Sequence, residues 1–267
     1  MQSIYIQKTT GYQSLIIIHI RSTQNILKNL EFLYRASNDD LRLLCDIIVK
    51  DKEGNYRMTE ELSVTQVFKN NYPSNIKGML PELVDDFRRF GGNSIANFFR
   101  GEGPEYSEIL RDVAKRNKVS FNTRNSDEQI EQYLLQKLFT DSINGASDDE
   151  LQKMMEELGY PTTNFTRQAA IATLMSAWRA GGFKSYILLV SVVNAVMKFL
   201  VGRGLSLAAN AALTRMASIM MGPIGWVLTA LWTLIDIAGP AYRVTVPATI
   251  QIAYIRQTVN HPSHMIC

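Results

Sequence analysis

Asp236 is the sole acidic residue beyond Glu157, and it follows a twenty-residue run, Met216 to Ile235, that carries no charge. Two chemistries are open to a carboxylate in such company. It can form an ion pair, because an unpaired buried charge costs several kcal/mol. It can instead relay a proton or contact a ligand, as ionisable groups in apolar settings often do. Arg203, Arg215 and Arg243 are the candidate partners, and Arg243 is favoured because Gly239-Pro240 folds the chain between it and Asp236.

Other patterns yield less chemistry. In Phe90-Gly91-Gly92-Asn93 and Arg100-Gly101-Glu102-Gly103-Pro104, glycines free the backbone and Arg100 could hold an anion. The spacing fits neither a phosphate loop nor a dinucleotide fingerprint, and helix-to-helix turns account for both stretches. His261-Pro262-Ser263-His264 with Cys267 has the residue types of a metal site, but a proline interrupts it, so no metal is expected. None of the three histidines lies in a nucleophile motif, and adjacent acids such as Asp85-Asp86 and Asp148-Asp149 point to different sides of a helix. No catalytic residue and no cofactor are expected, so the chain reads as something other than an enzyme.

The charge is divided along the chain. Residues 1–157 hold 20 Lys and Arg against 24 Asp and Glu, a balance of −4; residues 158–267 hold 8 against 1, a balance of +7. The densest basic pairs, Arg88-Arg89 and Lys115-Arg116, lie among carboxylates, which argues against nucleic acid as a partner. Two cysteines, Cys45 and Cys267, make no disulfide framework and suit a reducing compartment.

These residues must be positioned by helices. Ser37 with Asp40, Ser126 with Gln129 and Ser147 with Glu150 have the spacing of capping boxes, each followed by apolar residues at helical intervals. Leu41, Leu44, Cys45 and Ile48 share one face, as do Ile130, Leu134, Leu135 and Leu138. Gly159 and Pro161 interrupt the pattern. The expected fold is all-α: an N-terminal amphipathic helical bundle followed by an apolar C-terminal helical region with a helical hairpin. Residues 1–32 are expected to form an extension, disordered or not native, and 33–160 a polar helical domain. Residues 161–258 would form an apolar helical domain and 259–267 a flexible tail.

In the apolar half, Tyr186 to Val201 reads as either a buried helix or a tilted membrane segment, since sixteen helical residues span only about 24 Å. Gly222-Pro223-Ile224-Gly225 then breaks the following run into two arms, Leu205 to Met221 and Trp226 to Ile237. Asp236 falls at the foot of the second arm. Trp226 and Trp232 serve either as interfacial anchors or as core. A last helix is expected after Pro247.

Several words in this chain resemble the uncharacterised bacterial YaaW-like family. They include Phe90-Gly91-Gly92-Asn93, Gly202-Arg203-Gly204-Leu205-Ser206-Leu207, Gly222-Pro223-Ile224-Gly225-Trp226 and Asp236-Ile237-Ala238-Gly239-Pro240-Ala241-Tyr242-Arg243. The likeness runs from about Leu33 to Arg256. Members often carry a ubiquinol-cytochrome c chaperone-like label, which implies an assembly factor for a membrane respiratory complex and transfers no catalytic residues.

The leading expectation is therefore a non-enzymatic, chaperone-like assembly or stress-related factor. It would be cytoplasmic, peripheral to or inserted in the inner membrane, with a membrane surface or a membrane-protein client as partner and scope for a homo-oligomer. Two other classes stay open: a pore-forming effector that stores its apolar hairpin, and an enzyme that holds a phosphate ligand with its glycine-rich segments. Hydropathy cannot separate insertion from a soluble core, because a helix apolar all round occurs in both.

Overall fold

The computed structural model describes residues 26–51, 53–57, 61–91, 103–201, 239 and 241–260. Within them lie helices α1 (Asn38–Val49), α2 (Gln66–Asn71), α3 (Leu80–Gly91), α4 (Tyr106–Arg116), α5 (Asp127–Gly145), α6 (Asp148–Glu157), α7 (Arg167–Ala180), α8 (Gly182–Val201) and α9 (Tyr242–Asn260). Short 3-10 turns occupy Glu31–Arg35, Leu62–Val64 and Ile76–Met79. The fold is all-α; an isolated antiparallel bridge joins Lys50 to Tyr56.

Helix starts follow the local chemistry. Ser126 and Ser147 close full capping boxes with Gln129 and Glu150, so two orphan N-terminal donors are satisfied at each start. Ser37 accepts from the Asp40 N–H, while its hydroxyl donates to the Asp40 carboxylate at 2.6 Å. The predicted faces of α1 and α5 are buried. On α5, Phe139 also stacks on Trp178 of α7, with ring centroids 4.4 Å apart.

The last helix differs from expectation. It begins at Tyr242 and carries Pro247 inside it. Proline there removes the bond to the carbonyl of Arg243, an exposed residue close to the helix start, so the loss falls where water can compensate. Every residue from Val244 to Ala253 is buried. Such a helix has no face to turn to solvent, and it is enclosed by α1, α3, α4, α5 and α8.

That enclosure joins the two halves of the sequence. One apolar cluster runs from Leu27 to Ile255, across the position expected to divide two domains at 160/161. Leu27, Leu30 and Phe32 belong to it, so the end of the expected extension is core. On helix α8, Leu188, Val192, Val193 and Met197 are likewise buried. None of the described helices is long and apolar enough to cross a membrane. Asp86 is buried and accepts from the Glu61 N–H at 3.5 Å.

Arg88 is also buried; it donates to the carbonyls of Pro104 at 2.9 Å and Gly103 at 2.9 Å. The backbone approach requires glycine. A Cβ on Gly103 would lie 2.5 Å from the Arg88 carbonyl, a backbone group that cannot swing away. Gly103→Ala is expected to cost about 1–3 kcal/mol through this overlap. Ile250→Ala, in the enclosed helix, is expected to cost about 2–5 kcal/mol. Urea unfolding followed by circular dichroism should show both as lower midpoints at unchanged slope.

Candidate functional site

The most buried ionic group among the described residues is Glu131, on α5. It keeps step with Leu134, Leu135 and Leu138, and its side chain is 0% exposed. Arg256 of α9 reaches it with Nε to Oε2 at 2.6 Å and a second guanidinium nitrogen to Oε1 at 3.0 Å. The Tyr106 hydroxyl, at the start of α4, donates to Oε1 at 2.6 Å. Arg256 also donates to the Asn29 carbonyl at 2.9 Å and lies over the Phe32 ring at 3.9 Å from its centroid. A bidentate fork to Glu131, a bond to the Asn29 carbonyl and the Phe32 ring face thus hold Arg256, while the Tyr106 phenol binds the same carboxylate.

The electrostatics suit a clasp. Burial pushes the Glu131 carboxyl above its ordinary value, with Arg256 and Tyr106 pulling it back. Burial lowers Arg256, yet Glu131 more than restores it, so the guanidinium stays charged. Burial, reinforced by Glu131, pushes the Tyr106 hydroxyl well above its usual range and keeps it a donor. Both carboxylate oxygens are engaged, which leaves Glu131 to position rather than to transfer protons.

A cleft of about 660 Å³ opens beside this clasp, lined among others by Lys28, Asn29, Arg35, Arg111, Asp127 and Asn260. Two ion pairs lie in it: Lys28 to Glu105 at 3.0 Å and Arg111 to Asp127 at 3.1 Å. Arg35 donates to the Asn260 side-chain oxygen at 2.7 Å. The cleft closes one end of the bundle by paired charges. A second buried group lies on α1, where Lys50 contacts Asp46 at 2.7 Å and donates to the Tyr72 hydroxyl at 2.7 Å. Burial works against its charge, but Asp46 and Tyr72 hold Lys50 above its usual range.

The other end of α9 carries the one sequence-predicted candidate that is described. Arg243 is exposed in the first turn of α9. Beside it, the Tyr242 hydroxyl donates to Asp112, and Arg116 lies over the Tyr242 ring, 4.2 Å from the centroid. Asp236, Arg203, Arg215, Arg100, Gly222, Pro223 and Trp226 lie outside the described residues, as does His261 to Cys267. No cluster of three metal-ligating side chains occurs among the described residues.

Sequence reasoning missed Glu131 and Arg256. The available signal was Glu131 itself, an acid at the first position of an i, i+3, i+4, i+7 apolar stripe completed by Leu134, Leu135 and Leu138.

Comparison with known proteins places this architecture in context. Residues 78–250 match the family described as Ubiquinol-cytochrome C chaperone, and residues 28–58 match a domain of unknown function, DUF3944. A UPF0174 protein of Helicobacter pylori strain J99 is 42% identical over 86% of this chain and 90% of its own length. The UPF0174 protein YaaW of Escherichia coli K12 is 26% identical over 87% of this chain and 94% of its own. No solved structure matches.

Removing one partner of the clasp should be costly. Arg256→Met leaves Glu131 buried without its cation and is expected to destabilise by about 3–5 kcal/mol, whereas Glu131→Leu with Arg256→Met should recover most of that loss. The pH dependence has a definite sign. The folded-state value of Glu131 lies above the unfolded 4.5, so its contribution is fully present below pH 4.5 and is lost as pH rises through the folded value. Wild type should therefore lose stability relative to Glu131→Gln as pH rises from 4.5, as measured by urea titrations.

Proposed function

The chain belongs to the UPF0174 family and to the family described as Ubiquinol-cytochrome C chaperone, and from that membership we propose a chaperone-like assembly factor that works at a membrane without catalysing a reaction. The family description supports the chaperone role: it names a chaperone of a ubiquinol-cytochrome c system. The client in this reading is a membrane protein, and the working place is the inner face of the inner membrane.

One observation carries the membrane part. The apolar stretch 202–238 holds one acid and two arginines in its sequence, and it rejoins the body at Gly239 and Tyr242, at the opposite end of α9 from the matched-charge clasp. The flanking helices α8 and α9 are both packed into the body. A stretch of that length and apolar composition is of the kind that a bilayer or a membrane-protein client would take up.

The clasp serves this role by stiffening the body. Arg256 paired with Glu131 ties the C-terminal part of α9 to α5.

Cell fractionation followed by carbonate extraction tests the proposal. The full chain is expected in the membrane pellet, to be released by detergent; recovery wholly in the soluble fraction, monodisperse without detergent, would reject it. Leu231→Lys separates a membrane segment from a core one. It should move the chain to the supernatant with its thermal transition unchanged, and loss of that transition would place the segment in the core and overturn the reading.

A further inference from the structure

We draw no further inference here: the strongest candidate, the cleft of about 660 Å³ between the turn at Glu31–Arg35 and the starts of α4 and α5, belongs to the site already described, and with Lys28, Arg35 and Arg111 bonded to other residues that line it, nothing in the structure shows what ligand it would take.

Discussion

The enclosure of α9 is the constraint from which the rest of the structure follows. Ten consecutive residues, Val244 to Ala253, are buried, so the helix has no surface to leave in water. A helix of that kind is stable only inside a ring of partners, and here α1, α3, α4, α5 and α8 supply it. Four of those five precede residue 146. The N-terminal helices therefore cannot complete their core until the C-terminal helix arrives, which makes the body a unit of long-range contacts rather than two successive modules. Such topologies close large loops before they gain contact energy, and folding slows accordingly.

Enclosing a helix also fixes where polar groups can go. Ser191, Thr249 and Gln251 are buried at the centre of the bundle, and the Oγ of Ser191, the Oγ1 of Thr249 and the Oε1 of Gln251 lack a hydrogen bond among the described residues. Each such group costs free energy. Arg256 stands near the other limit: an arginine close to the end of the same helix, with its fork, its stem and its ring contact all used. One end of α9 is thus sealed by matched charge.

The sequence made the helical starts legible because capping is local chemistry: Ser126 and Gln129, or Ser147 and Glu150, need only the three residues between them. Buried stripes were legible for the same reason, since a 3.6-residue period brings Leu41, Leu44, Cys45 and Ile48 together whatever lies beyond. Pro247 misled because proline was read as a helix start; its missing bond is to Arg243, in the first turn of the helix, and is tolerated there. The change of composition near residue 160 suggested a domain boundary, but composition reports what a segment is made of and not what it packs against. Arg243 was legible as a cation beside an apolar run, although the bond from its neighbour Tyr242 to Asp112 was not.

By itself, then, the sequence determined an all-α chain, the starts of α1, α5 and α6, an apolar half with a single acid at Asp236, and the kinship of the chain. Tertiary structure alone decided that Glu131, Arg256 and Tyr106 form one clasp, 25 and 125 residues apart along the chain, and that Tyr242 at the start of α9 meets Asp112 on α4. The reason is range. Capping, periodicity and charge balance act within a few residues and are written in order, whereas a buried ion pair is selected by which helices surround α9 and in which direction each one runs.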